Sequence, residues 1–292
     1  VIRNDPTDQK SLSLDDLYSF FEDRTGVLYV GTRGRGINTL VAEKSRFAVY
    51  QHRRDDPNTI ASDYTRAIAE SPDGGTLYVG LQDRGVDVID RRTGEFKHLQ
   101  AIEGRTDSLN SNLVYCLAVD RFGLVWIGTY GGGLNVYDPR TKKVRHFVNR
   151  PGDPTSLSHN DIRCLLVDRL DRVWVGTDGG GLNMFDRKSE TFKRYMSDPA
   201  DPTSISHNLV RTFLIDHEGT LWAGTFGGGL NRFDEETGTF AVLRHDASNP
   251  NSLCGDFVPS LAEDPENRLW IGTTSGLNLY NPRDGSFVCY TQ

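Results

Sequence analysis

Leu124 to Asp138 reads LVWIGTYGGGLNVYD, and the stretch returns almost unchanged as RVWVGTDGGGLNMFD (Arg172 to Asp186) and TLWAGTFGGGLNRFD (Thr220 to Asp234). A copy one residue shorter, RLWIGTTSGLNLYN, spans Arg268 to Asn281. The tryptophans at 126, 174, 222 and 270 therefore stand 48 residues apart. Looser copies come earlier, VLYVGTRGRGINTL (Val27 to Leu40) and TLYVGLQDRGVDVID (Thr76 to Asp90), with Tyr29 and Tyr78 in the tryptophan place. Self-similarity at a fixed period of about 20 to 50 residues means a repeat architecture.

That repeat overrides the prior from length, since 292 residues would otherwise suggest about two domains. The net charge of −7 is spread without a block of one sign. Lys and Arg never cluster, so no nucleic-acid partner is expected. No apolar run approaches the roughly 20 residues needed to cross a bilayer, so no direct membrane insertion is expected either. The first residues, VIRNDPTDQK, carry neither an initiator Met nor the apolar core of a signal peptide, and read as a mature or excised piece.

Aligned on Ser11, Thr59, Ser108, Ser156, Ser204 and Ser252, the chain holds six repeats. Each has an apolar run such as IRCLLVD (Ile162 to Asp168), a polar turn, the LWIGT-like run, a Gly-rich turn, and a third run such as GLNRFD. A turn often carrying Thr-Gly or Asp-Gly then leads to a fourth run such as TFKRYMS (Thr191 to Ser197). Short β-branched and aromatic runs broken by Gly, Asp and Asn read as consecutive antiparallel strands. No stretch keeps a 3.6-residue period, so no long helix is placed. Four strands in about 48 residues is the pattern of a propeller blade. The fold class is thus all-β, a β-propeller of six four-stranded antiparallel blades, with a truncated seven-bladed ring as the alternative. Consecutive apolar residues, as in Leu165, Leu166, Val167, suit strands buried on both faces. Blades are expected at 11–58, 59–107, 108–155, 156–203, 204–251 and 252–292, in a single domain. Residues 1–10 read as the tail of a preceding blade, because Pro6 precedes Ser11 by five, as Pro151 precedes Ser156.

Cys116 and Cys164 share a repeat slot that elsewhere holds Ser19, Ala67, Thr212 and Ser260. The slot wants a small side chain, which a thiol supplies. Cys254 and Cys289 fall in unrelated slots without CxxC spacing. All four are read as thiols, which leaves the redox compartment open.

Here the sequence resembles a known family. LWIGTxGGGLNxFD, followed by a link of the form HDPxxPxSLS and an inner strand ending in Asp, is similar to the two-component regulator propeller repeat. The clearest copies are Arg172 to Asp186 with Ser197 to Asn208, and Thr220 to Asp234 with Arg244 to Ser252. The resemblance implies the periplasmic or extracellular part of a large bacterial membrane receptor. Such receptors pair seven-bladed propellers with a β-sandwich, a membrane helix and a cytoplasmic histidine kinase or diguanylate cyclase. Bacteroides-type relatives are hybrid sensors of polysaccharide breakdown products. The chain departs from the pattern in having six repeats, in lacking any membrane or output segment, and in its second repeat, where Leu81 replaces Thr and Gln82-Asp83-Arg84 the usual Gly pair.

Positions that vary between otherwise identical repeats are the ones packing does not dictate. In the turn after strand two these are Arg33, Gln82, Tyr130, Asp178, Phe226 and Thr274, with Arg35 and Arg84 two residues on. At the start of strand one they are Tyr18, Arg66, Tyr115, Arg163, Arg211 and Pro259. Both sets are expected on the ring face that surrounds a central channel. Arginines there suit carboxylate or sulfate groups through bidentate bonds, and tyrosines suit the faces of sugar rings. The plainer reading has these arginines paired with Asp161 or Asp256 of neighbouring links. His159 and His207 are read as loop caps, and the recurring Asp23, Asp120, Asp168, Asp216 and Asp264 as turn stabilisers. No metal is expected, since no further ligands converge by spacing and DPADPTS lacks the calcium-loop pattern. No cofactor is expected, because the glycine strings precede no helix, and neither GxSxG nor HExxH occurs.

The expected function is a non-catalytic sensory propeller. Its partners would be an oligosaccharide or other small ligand, further domains of the same receptor, and a second copy in a homodimer. A polysaccharide-processing propeller lyase and a passive interaction scaffold are the alternatives.

Overall fold

In a computed structural model of the chain, residues 3–8, 11–41 and 46–291 are described. The expected tail at 1–10 and the last residue of blade six lie partly outside them. Among the described residues, twenty-four strands form six four-stranded antiparallel sheets, each in simple sequential order. The fold class is the expected one: all-β, a β-propeller of six four-stranded blades. The chain divides into two compact units, residues 1–147 and 148–292.

The first unit holds three blades. Blade one is β1 (Leu17–Glu22), β2 (Val27–Thr32), β3 (Ile37–Val41) and β4 (Arg46–Tyr50). Blade two is β5 (Thr65–Glu70), β6 (Thr76–Leu81), β7 (Gly85–Asp90) and β8 (Phe96–Leu99). Blade three is β9 (Val114–Val119), β10 (Val125–Thr129), β11 (Leu134–Asp138) and β12 (Lys143–Phe147). The second unit repeats the plan. Blade four is β13 (Ile162–Val167), β14 (Val173–Thr177), β15 (Leu182–Asp186) and β16 (Thr191–Tyr195). Blade five is β17 (Val210–Ile215), β18 (Leu221–Thr225), β19 (Leu230–Asp234) and β20 (Thr239–Leu243). Blade six is β21 (Ser260–Glu263), β22 (Leu269–Thr273), β23 (Gly276–Asn281) and β24 (Ser286–Tyr290). Within each unit the first strands of successive blades lie side by side, β1 by β5 by β9, and β13 by β17 by β21.

Burial of both faces holds for the second strands, which are buried along their whole length in β10, β14 and β18. It does not hold for the first strands. In β9, β13 and β17 only the leading residue is buried, so Leu165, Leu166 and Val167 are half-exposed. A first strand pairs on one edge only and meets the next blade obliquely, so its faces are only partly covered.

The small-residue slot has a direct cause. Each occupant pairs with the glycine of strand two, as in Cys164 with Gly176 and Ala67 with Gly80. A Cβ on Gly176 would stand 2.3 Å from the Cys164 Sγ. In the GGG turn, Gly181 has φ 70°, which glycine adopts without penalty. The glycine before it, Gly180, is needed for space, because a Cβ there would come within 2.3 Å of the Ser158 Oγ.

The aspartate closing strand one does two jobs. In blade five the Asp216 Oδ1 accepts the amides of Glu218 and Thr220, while Oδ2 accepts the Trp222 indole N–H at 2.8 Å. Asp120 and Trp126, Asp168 and Trp174, and Asp264 and Trp270 repeat the indole bond. Blade one, with Tyr29, instead gives its Asp23 to Arg91 at 2.5 Å. Blade two, with Tyr78, has Ser71 in the aspartate's place.

The links are clamped by strand three. Buried Asn183 accepts the Ser158 amide and donates to its Oγ, as Asn231 does with Ser206. Strand four reaches back to the same link. The Arg194 guanidinium binds the carbonyls of Ser156 and Asp153, and His146 Nε2 bonds the Ser108 carbonyl. In blade six this reach is covalent: Cys289 of β24 forms a disulfide with Cys254 of the link, with Cα atoms 6.0 Å apart. The reading of four thiols is corrected here. The two slots are unrelated along the sequence, but strand four lies beside the link that precedes its own blade.

Blade two carries a titratable form of the clamp. Asp87, fully buried, replaces the strand-three asparagine and meets His98 Nδ1 at 2.6 Å. The Asp87 hydrogen bond, opposed by burial, raises the His98 pKa above its ordinary value. A raised folded-state pKa contributes stability that is full below the unfolded value of about 6.5 and is lost as pH rises through the folded one. Asp87→Asn, which installs the residue used by the other blades, is expected to return His98 toward its ordinary pKa. The stability gap between wild type and variant should narrow as pH rises through the raised value. An NMR titration of His98 in both proteins checks the shift, and an unchanged His98 midpoint in the variant would refute it.

Candidate functional site

The variable residue at the start of strand one is set apart by the ladder itself. In β1 the register jumps from Leu17 to Ser19, in β5 from Thr65 to Ala67, in β13 from Ile162 to Cys164, and in β17 from Val210 to Thr212. Opposite β9, Thr129 pairs with Val114 and Gly128 with Cys116. The skipped residues are Tyr18, Arg66, Arg163, Arg211 and Tyr115. A bulge leaves its extra residue outside the ladder and re-aims the side chain. Pro259 takes the place in blade six and has no N–H to donate, and β21 begins only after it.

In the first unit these residues meet. The Arg66 guanidinium lies between two tyrosine rings, 4.2 Å from the Tyr18 centroid and 4.5 Å from that of Tyr115. Its Nε donates to Gln82 Oε1 at 3.2 Å. Arg33 stands 5.9 Å from the Tyr18 ring and 3.7 Å from the Asp16 carboxylate. Tyr130 packs on Tyr115 at 5.9 Å and stays 41% exposed. An arginine flanked by two aromatic faces gains attraction from both ring quadrupoles. Arg35 and Arg84 are exposed and stand outside this stack. Arg84 instead lines a cleft with Arg53, His98 and Gln100.

The second unit forms a different cluster from the same slots. Arg163 donates from Nε and Nη2 to Asp178 Oδ2, at 2.8 and 2.5 Å. Arg211 Nη2 stands 3.3 Å from Asp178 Oδ1, and its guanidinium lies 5.2 Å from the Phe226 centroid. Phe226 in turn meets Phe257 at 4.5 Å. Two cations share one carboxylate, and Arg211 Nε is a buried donor with no hydrogen-bond partner. The expected arginine–aspartate pairing is present with Asp178 of the Gly-rich turn, itself one of the candidates. A short Asp side chain in that turn sits at the mouth of two neighbouring bulges and can serve both.

Two residues of these clusters are absent from the sequence reading, Tyr64 and Phe257. Tyr64 is 45% exposed and pairs its backbone with Arg33, which brings it to the arginine side of the unit. Both occupy a slot two residues before the bulge, which runs Asp16, Tyr64, Leu113, Asp161, Leu209, Phe257. Its variability at the 48-residue period was the available signal.

His159 and His207 accept the amides of Asp161 and Leu209 at Nδ1, the loop-capping role expected of them. Among the described residues no three His, Cys, Asp or Glu side chains gather as a metal site.

Comparison with known proteins agrees with the geometry. The family described as "Two component regulator propeller" matches residues 108–131, 156–179, 204–227 and 252–275, the link, first strand and second strand of blades three to six. No curated protein matches the chain. Among solved structures, the extracellular domain of a hybrid two component system from B. thetaiotaomicron superposes with a TM-score of 0.77 at 22% identity, over 99% of this chain and 43% of that one. PorZ, a surface component of the type-IX secretion system of Porphyromonas gingivalis, superposes with 0.66 at 19% identity, over 90% of this chain and 38% of that one. Virginiamycin B lyase from Staphylococcus aureus superposes with 0.67 at 10% identity, over 95% and 84%. At these identities the likeness is one of fold, and the chain spans less than half of the first two relatives. The 48-residue period and the Trp–Asp turn agree with the matched segments, and residues 108–131, 156–179, 204–227 and 252–275 are two component regulator propeller repeats.

Proposed function

We propose that the chain is the ligand-binding, non-catalytic propeller of an extracytoplasmic bacterial receptor. The observation that carries this reading is the Tyr18–Arg66–Tyr115 stack, with Tyr130 and Arg33 beside it. Flat aromatic faces suit sugar rings, and guanidinium donors at the edge suit carboxylate or sulfate substituents. An oligosaccharide bearing acidic groups is the ligand class that uses both. The Cys254–Cys289 disulfide supports a periplasmic or extracellular location, because such bonds persist in oxidising compartments. No described helix is long and apolar enough to cross a membrane. Ligand binding would bias one arrangement of the receptor, in a homodimer or against its own further domains.

The fold likeness to virginiamycin B lyase favours a second reading, a propeller enzyme. A catalytically inactive form of that lyase carries a histidine-to-alanine change. In this chain all seven histidines already hold structural bonds, among them His52 to the Ile60 carbonyl and His217 to Glu263. That supports binding over turnover.

Titration calorimetry with uronate-containing oligosaccharides tests the reading. Saturable binding is expected for wild type, weakened roughly ten- to hundredfold in Arg66→Ala, from loss of a charged contact of about 1.5–3 kcal/mol. Equal affinity in the variant would remove the stack from the site.

A further inference from the structure

The interface between blades one and two encloses a cavity of about 220 Å³, and the same chain shows why. The blades-four-and-five interface is built from the corresponding repeat positions and is filled by aromatics. Phe233 meets both Trp174 and Tyr195 edge to face, with Phe240 against Tyr195 and Phe233. In the first unit Tyr29 stands for Trp174, Ile89 for Phe233 and Ile68 for Phe213. Two positions change the other way, Val79 for Ala223 on the wall and Phe21 for Leu166 against Tyr29. The three reductions all fall on the facing core positions, and Tyr29, Ile68, Val79 and Ile89 line the void. The second unit also has a cleft at its interface, about 400 Å³. It is rimmed by charged side chains and ends at Trp174 and Phe233, without reaching Phe213, Ala223 or Tyr195.

The cavity's inner wall is apolar, and its mouth is formed by Asp90, Arg91 and Gly94. Arg91 is neutralised twice over, by Asp23 at 2.5 Å and Glu70 at 2.7 Å. The mouth therefore offers no spare positive charge to an anion. The Asp90 carboxylate accepts the amides of Arg92 and Thr93, and a carboxylate has lone pairs for a further donor. A cavity of this order with aromatic and aliphatic walls takes small aromatic guests, as an engineered 150 Å³ cavity takes benzene.

We propose that this cavity is a second ligand site, for a small neutral aromatic molecule carrying at most one hydrogen-bond donor. It is independent of the oligosaccharide reading and is built from different residues. A ring enters edge-first past Gly94 and stacks among Tyr29, Ile68 and Ile89, with its donor turned to the acidic mouth.

Indole is the probe. Saturation-transfer NMR and thermal unfolding of the intact chain are expected to show one saturable site and a rise in Tm with indole concentration. Ile89→Phe and Ile68→Phe each install the side chain that the second unit already carries at that position. Each should weaken indole binding by at least about tenfold, as one or two methylenes already alter pocket affinity on that scale. Both variants should unfold at or above the wild-type temperature without indole, which separates a filled cavity from a damaged fold. Phe233→Ile is the reciprocal test, expected to open a comparable site in the second unit. No saturable indole binding by wild type, or undiminished binding by both filled variants, would overturn the proposal.

Discussion

Trp126→Ala is expected to lower the unfolding free energy by about 3–5 kcal/mol, the range for removing a buried Trp or Phe from a core. Trp126 is fully buried in strand two of blade three. Its indole N–H is held by the Asp120 Oδ2 at 2.9 Å. The substitution removes packing and leaves a buried carboxylate short of a donor, and a polar group stranded this way costs about 1–3 kcal/mol in its own right. Trp126→Tyr should cost less, because Tyr29 and Tyr78 are buried in the equivalent place of blades one and two. Those blades also show what the aspartate then requires. In blade one Arg91 replaces the indole as donor, and in blade two serine replaces the aspartate. The double variant Trp126→Tyr with Asp120→Ser is therefore expected to be more stable than the sum of its single changes. Urea unfolding followed by circular dichroism measures all five proteins, and strict additivity in the Trp126→Tyr, Asp120→Ser cycle would show that the Trp–Asp bond carries no coupling.

The disulfide supplies the second large effect. Cys254 and Cys289 close a loop of 35 residues in sequence separation. In the chain-entropy view such a closure stabilises by about 3–4 kcal/mol at 25 °C. Cys254→Ser with Cys289→Val reproduces the pair that blade five carries, Ser206 and Val242. Packing is then kept and only the cross-link is lost. The double variant should lose most of that stabilisation, with hydrogen exchange quickening first in β24. Thiol titration of the denatured wild-type protein should find two reactive groups before reduction and four after. Four before reduction would refute the bond.

The parts of the fold legible in the sequence were those that every blade must repeat. A glycine opposite a small side chain recurs in all six blades, and an asparagine that clamps a link and an aspartate that closes a turn recur in five, because backbone geometry demands them. What the sequence did not reveal occurs once. The Cys254–Cys289 bond joins two slots whose nearness depends on strand four lying beside its own link. The sharing of Asp178 between Arg163 and Arg211 depends on one short side chain serving two blades. The candidate residues themselves were found by their variability, but the reason they protrude, a bulge at the start of the inner strand, is a matter of register. A 48-residue alignment does not register-match strands one and two, so it cannot show the extra residue.

Binding without turnover is the centre of the account, and one assay reaches it directly. The chain is incubated with a uronate-containing oligosaccharide at a concentration that saturates the calorimetric signal, and the saccharide is then recovered for mass spectrometry. Recovery at unchanged length and mass, with binding lost in step in Tyr115→Ala and Arg66→Ala, is the predicted result. A shortened or unsaturated product that grows with time would contradict it and make the propeller an enzyme.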